Sequence, residues 1–196
     1  MLKRIFDILC SFIGLILLSP LFIIICLLVG LSSKGGIFFL QTRVGKNNKD
    51  FKLFKFRTMH TNSDKKGLLT VGGRDPRITP VGYYLRKYKL DELPQLLNVF
   101  FGSMSLVGPR PEVRKYVDLY TDEQKKVLLV KPGITDYASL EYFSENELLA
   151  KSSNPEKTYI EEIMPAKLEL NKKYILEHSL LTDIKIIFNT FKKIVS

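Results

Sequence analysis

Apolar and polar positions alternate with different periods along this chain, and each period predicts an element. Ile8 to Ser33 runs for 26 residues without a charge, which is long enough to be a buried or membrane-embedded helix. Phe51-Lys52-Leu53-Phe54-Lys55-Phe56-Arg57 roughly alternates apolar and basic residues, the period of a strand with one apolar face. Ile37 to Val44 predicts its partner, and Gly45-Lys46-Asn47-Asn48 between them has turn chemistry. Val81, Tyr84, Leu85 and Tyr88 lie on one helical face, as do Leu93, Leu96, Leu97 and Phe100. Glu156 to Ser179 reads as helix broken near Pro165, and Ile184, Ile187, Phe188, Phe191 and Val195 form the apolar stripe of a basic amphipathic helix. That last helix suits an anionic membrane surface or packing on the core. The pattern predicts an α+β protein, mostly helical with a small β-hairpin.

Three readings compete for the apolar run. A secretory signal needs a shorter core and a small-residue cleavage site, and no such site is seen. A plain spanning helix fits the length. The third reading turns on Ser19-Pro20, because an interior proline removes a hydrogen bond and breaks the helix. The break leaves 11 uncharged residues on each side, Ile8 to Leu18 and Leu21 to Leu31, so each arm is about 16 Å at about 1.5 Å per residue. Each arm therefore covers about half of a ~30 Å hydrocarbon core. A helix broken at Ser19 and Pro20 can dip into one leaflet and return, with the Ser19 hydroxyl serving a freed carbonyl. Lys3 and Arg4 before the run, and Lys34, Arg43 and Lys46 after it, all favour the cytoplasmic side. Proline kinks also occur in spanning helices.

Charge sharpens the picture. The 196 residues carry 30 Lys and Arg against 20 Asp and Glu. Residues 32–90 hold 14 bases and 3 acids, whereas residues 91–196 hold 14 and 16. A basic block beside an apolar segment points to anionic lipid headgroups or phosphorylated ligands. No nucleic-acid-binding motif is present, so nucleic acid is not expected as a partner. Cys10 and Cys26 both lie in the apolar run, and only His60 and His178 are present. A disulfide-stapled miniprotein, a cysteine zinc site and a histidine-rich metal centre are excluded. Lys65-Lys66-Gly67 and Gly72-Gly73-Arg74-Asp75-Pro76 read as loop.

Asp91-Glu92 falls where one helical stripe ends and the next begins, since Pro94 fits only a first turn. Acids there cap the helix and favour its dipole. They also suit chemistry: an aspartate with an ordinary pKa near 3.9 is ionised and able to attack phosphorus at neutral pH. Nearby cations must then mask the charge of an anionic diphosphate, and Arg86 and the basic hairpin are candidates. Adjacent carboxylates can also hold Mg²⁺. Downstream, residues 102–111 read as loop, and Pro109 and Pro111 stiffen the backbone around Arg110, whose planar fork suits phosphate oxygens.

Seven segments together resemble one family. They are Lys3-Arg4-Ile5-Phe6-Asp7, Ser19-Pro20, Gln41-Thr42-Arg43-Val44-Gly45, Phe54-Lys55-Phe56-Arg57-Thr58-Met59, Leu90-Asp91-Glu92-Leu93-Pro94-Gln95, Met104 to Pro111, and Lys131-Pro132-Gly133-Ile134-Thr135. Each is weak alone, but the ordered set resembles the small monotopic phosphoglycosyl transferases, bacterial sugar transferases acting on polyprenol phosphate. The resemblance implies transfer of a sugar 1-phosphate from a nucleotide diphosphate sugar, with uridine the expected nucleotide, to polyprenol phosphate. It implies Asp91 as nucleophile and Glu92 as its partner, with Mg²⁺ bound nearby. It implies phosphate contacts from Lys55, Arg57, Arg86, Arg110 and Arg43, and a re-entrant membrane helix broken at Ser19 and Pro20. Residues 1–33 would be that membrane element, and residues 34–196 a catalytic domain on the cytoplasmic face of a bacterial inner membrane.

Anionic membrane lipids and downstream glycosyltransferases are the other partners implied, in the first membrane step of a surface glycan. The chain would be the family's minimal catalytic form. It departs from the family pattern after Thr135, where Asp136-Tyr137-Ala138-Ser139-Leu140-Glu141-Tyr142 stands and tryptophan is absent throughout. The departure leaves the donor sugar open. A non-catalytic membrane scaffold and a nucleotide-sugar hydrolase are the competing readings.

Overall fold

A computed structural model describes residues 1–32, 34–63, 67, 69–72 and 75–195. Ser33, Lys65, Lys66, Gly73 and Arg74, and the side chain of Val195, lie outside the described residues. In chain order come α1 (Leu2–Leu17), α2 (Ser19–Ser32), β1 (Phe38–Val44), β2 (Asp50–Phe56), α3 (Pro80–Lys87), α4 (Gln95–Phe101), β3 (Ser105–Val107), α5 (Arg114–Val117), β4 (Gly133–Thr135), α6 (Tyr137–Glu141), α7 (Glu145–Ala150), α8 (Pro155–Thr158), α9 (Met164–Glu177) and α10 (Leu180–Val195). The fold is α+β. β1 and β2 form the expected antiparallel hairpin, registered from Phe38 opposite Phe56 to Val44 opposite Asp50. β3 and β4 pair in parallel, so residues 102–111 are not all the loop that the sequence suggested. Three-residue strands are too short to show a period.

The apolar run is two helices bent by 63°. Proline at position 20 has no N–H for the carbonyl of Ile16, four residues back. That carbonyl accepts instead from the Ser19 hydroxyl, at 2.8 Å, and from a backbone N–H at the end of α1. Among the described residues no single helix is long and apolar enough to cross a membrane, though the bent pair is together.

The outward face of this pair is apolar. Leu9, Phe12, Ile13, Ile16 and Leu17 of α1 are exposed, while Asp7 and Ser11 are buried. Water-soluble helices have the opposite arrangement. The buried face of α1 is polar because it bonds to the rest of the protein. Lys3 pairs with Asp183 of α10 and donates to the Val107 carbonyl. Arg4 donates to the carbonyls of Val99 and Phe100 at the end of α4. Asp7 accepts from the Ser105 hydroxyl and the Leu106 N–H.

α10 repeats this inversion. Asp183 and Ile186 are buried, whereas Phe188 and Phe191 are 68% and 65% exposed. Near Pro165 the helix is widened rather than broken: a wide helical turn over Tyr159–Ile163 runs without interruption into α9, with Pro165 in its first turn.

Behind the hairpin, α4 closes the open edge of β2 with one side chain. Asn98 accepts from the Phe54 N–H at 2.9 Å and donates to the Lys52 carbonyl at 2.7 Å. It does what a neighbouring strand would do, so the β2 backbone is satisfied and Lys55 is held in a fixed position.

Candidate active site

The dyad sits at a tight corner. α3 starts at the Thr79 cap, whose hydroxyl accepts from the Gly82 N–H. It ends at Lys87, and Lys89 beyond it adopts a left-handed conformation (φ 56°, ψ 19°). That reverses the chain into a single 3₁₀ turn over Leu90–Glu92, with Pro94 leading into α4. Gly82 allows α3 to approach β2's continuation closely, since a Cβ there would stand 2.1 Å from the Thr58 carbonyl oxygen.

The two carboxylates differ in environment. Glu92 is gripped: both terminal nitrogens of Arg110 reach it, one at 2.9 Å, and the Lys55 ammonium lies 3.1 Å away. Burial alone would raise the Glu92 carboxyl, but Arg110 and Lys55 outweigh it and hold it well below the usual carboxylate range. Asp91 is 7% exposed, and among the described residues none donates a hydrogen bond to it. Burial raises its carboxyl, with the negative charge of Glu92 adding to the effect, while Lys55, Arg86 and Lys89 pull the other way.

Arg110 is held from behind. Its backbone N–H donates to Asp136 at 3.1 Å, and Asp136, fully buried, also caps α6 by accepting from the Ser139 N–H. The segment that departs from the family pattern thus positions Arg110. Arg43 donates to the Pro111 carbonyl and pairs with Glu112 at 2.9 Å. Tyr159 donates its hydroxyl to the same Glu112. Arg57 donates to the carbonyls of Gly36 and Phe38. Arg86 donates to the Thr70 hydroxyl at 2.8 Å.

All seven expected side chains therefore border one cavity of about 760 Å³, which Asp91, Glu92, Lys55, Arg57, Arg86, Arg110 and Arg43 line. Lys55 and Arg110 act directly on the dyad, Arg86 acts through its charge on Asp91, and Arg43 and Arg57 spend their hydrogen bonds elsewhere. Away from the dyad the wall turns apolar with Phe6, Cys10 and Gly14 of α1 and Leu18 just after it. Sequence reasoning missed Lys89, Glu112 and Asn98. Glu112 directly follows the Pro-Arg-Pro segment, which was the available signal for it. Lys89 had none, because its importance comes from a backbone conformation.

A cavity that brings a buried aspartate together with several cations invites comparison with known proteins. The family model for bacterial sugar transferases matches residues 1–196. A UDP-N-acetylgalactosamine-undecaprenyl-phosphate N-acetylgalactosaminephosphotransferase of Aeromonas hydrophila is 38% identical over 100% of this chain and 44% of its own length. A UDP-glucose:undecaprenyl-phosphate glucose-1-phosphate transferase of Escherichia coli (strain K12) is 39% identical over 98% of this chain and 40% of its own. The chain therefore spans less than half the length of these two relatives. The exopolysaccharide production protein PSS of Rhizobium leguminosarum bv. phaseoli is 38% identical over 96% of this chain and 92% of its own length. With a match from end to end and relatives of this similarity, the chain belongs to the bacterial sugar transferase family.

Proposed function

We propose that the chain is a membrane phosphoglycosyl transferase. It moves a sugar 1-phosphate from a UDP-sugar to undecaprenyl phosphate through a phosphosugar ester on Asp91. One observation carries this reading: of two adjacent carboxylates, Glu92 is neutralised by Arg110 and Lys55, while Asp91 is buried without a hydrogen-bond donor among the described residues. A carboxylate raised above its ordinary pKa is a stronger nucleophile once ionised. An Asp91 oxygen attacks the phosphorus that bears the sugar, the bond to the second phosphate breaks, and nucleoside monophosphate leaves with the electron pair. An oxygen of undecaprenyl phosphate then attacks the same phosphorus, and Asp91 leaves as the free carboxylate. Arg86 masks the diphosphate charge, and Arg43 and Arg57 shape the walls.

Magnesium is proposed with it, on Asp91 and Glu92. Among the described residues no group of three or more His, Cys, Asp or Glu is gathered as a metal cage. Mg²⁺ commonly takes one or two carboxylates and completes its shell with water and substrate phosphates. The open oxygens of Asp91 fit an ion that arrives with the diphosphate. Bound there, Mg²⁺ would neutralise charge developing on the phosphoryl oxygens.

The bent α1–α2 pair is proposed as a re-entrant element in the cytoplasmic leaflet of a bacterial inner membrane, with α10 lying on anionic headgroups. Its outward apolar faces support this, as does the bonding of Lys3 and Arg4 into the body that carries the dyad. Residues 1–33 and 34–196 are the corresponding membrane and catalytic parts, and surface glycan synthesis is the proposed context.

Labelled sugar phosphate transfer to undecaprenyl phosphate tests the reading. Asp91→Asn should lower it by a factor on the order of 10⁴, as loss of a nucleophile does. Wild-type protein given donor alone should release one equivalent of UMP and retain the sugar phosphate on Asp91. Continuous donor consumption without the lipid would indicate a hydrolase, and indifference to Asp91→Asn a scaffold.

A further inference from the structure

The cations at the cavity can be sorted by what already compensates them. Lys55 and Arg110 face Glu92, and Arg43 faces Glu112. Arg57 is occupied by two backbone carbonyls. Among the described residues Arg86 holds only a neutral hydroxyl. Lys89 makes no ion pair among the described residues. Its ammonium lies instead 4.9 Å from the centre of the Phe143 ring, in the connection between α6 and α7. An aromatic face steadies a cation without cancelling its charge. Lys193 of α10 approaches the same ring at 5.8 Å, so the ring is shared by two cations.

The backbone singles out the same residue. Lys89 occupies the position after α3 where a left-handed residue ends the helix, and glycine is the usual occupant. A lysine kept there against its backbone preference points to a role for the side chain. That side chain lines the cavity beside Asp91 and Arg86.

We propose that Lys89, seated on the Phe143 ring, is a diphosphate-binding residue of this site, acting beside Arg86, with Phe143 as its positioning residue. The inference rests on the phosphoryl-transfer reading above. It adds a residue to which neither the sequence motifs nor the relatives' names assign a role.

The test is calorimetric titration of the full chain in detergent micelles with inorganic pyrophosphate. Lys89→Gly should weaken binding about tenfold, the size of one charge-assisted hydrogen bond. Its thermal midpoint should stay level or rise, because glycine suits the left-handed seat. A merely structural lysine would not separate the two. Lys89→Arg should bind within about threefold of wild type, since the charge is kept. Phe143→Leu should fall between the two, and Lys87→Gln, on the exposed side of α3, should be unchanged. Wild-type affinity in Lys89→Gly, equal weakness in Lys89→Arg and Lys89→Gly, or no pyrophosphate binding by the wild type would each overturn the proposal. Asp91→Asn keeps the failures apart. It should abolish transfer yet bind pyrophosphate, and if transfer survives, the functional reading fails whatever Lys89 does.

Discussion

The Ser19 hydroxyl donates at 2.8 Å to the Ile16 carbonyl, which Pro20 cannot serve and which also accepts from a backbone N–H at the end of α1. The bend therefore leaves no orphaned carbonyl at that point, which matters most where no water is at hand. Lys3 and Arg4 precede the bend and are bonded to Asp183, Val99 and Phe100, so the chain enters and leaves the apolar pair on one body.

Topology follows. In a background of Cys10→Ala and Cys26→Ala, single cysteines placed at Leu2 and at Lys46 should both react with an impermeant thiol reagent from the same side of sealed vesicles. Reaction from opposite sides would restore a spanning helix.

The grip of Arg110 on Glu92 gives a second prediction. Arg110→Gln leaves a half-buried carboxylate with Lys55 as its remaining cation, and should cost about 1–3 kcal/mol of stability. Glu92→Gln in the same chain should recover part of the loss, because the stranded charge is gone. A double-mutant cycle by urea unfolding in micelles should return a coupling of about 1–3 kcal/mol. Additive losses would mean that the contact is not formed.

Much of this arrangement was legible before the structure. The alternation through Lys52, Phe54 and Lys55 announced the hairpin, and Ser19-Pro20 announced the bend. The stripes at Val81–Tyr88 and Leu93–Phe100 bracketed the dyad. What was not legible depends on side chains meeting across long separations. Arg43 read as one more phosphate ligand, because only the fold shows that Glu112 and the Pro111 carbonyl take its donors. Asp136 read as part of a departure from pattern, but its role is to hold the Arg110 backbone. Lys89 carried no periodic signal, since a single left-handed residue leaves no mark on hydrophobic spacing. The stripe on α10 was visible, but its exposure follows from the burial of Asp183 and Ile186 on the opposite face.

Gly108, just past β3, lies against Gly133, the first residue of β4, which sets a third prediction. A Cβ on Gly133 would stand 2.1 Å from the Gly108 nitrogen and 2.5 Å from its carbonyl oxygen. Backbone cannot yield that distance cheaply, so Gly133→Ala should cost about 2–4 kcal/mol. Transfer should fall with it, because the Gly133 N–H bonds the Pro109 carbonyl next to Arg110. Gly30→Ala is the control. Its Cβ would meet Ile37 at 3.9 Å, an ordinary contact, and stability should change by less than about 1 kcal/mol.

The last prediction concerns acid. Burial raises the Glu112 carboxyl, but Arg43, Lys167 and the Tyr159 hydroxyl together outweigh it and leave it below its ordinary 4.5. A carboxyl lowered on folding binds protons more readily in the unfolded chain. Its contribution is therefore complete above about pH 4.5 and is lost as the pH falls through the lower folded value. At pH 7 Glu112→Gln should be less stable than wild type by about 1–3 kcal/mol, since Arg43 loses its counter-charge. Thermal unfolding of the two proteins between pH 7 and pH 3 should show a constant gap down to the ordinary glutamate range, then a narrowing one. A gap that widens on acidification would mean that the carboxyl is raised in the folded state, and the Arg43–Glu112 pair could not be the device that braces Arg110 through Pro111.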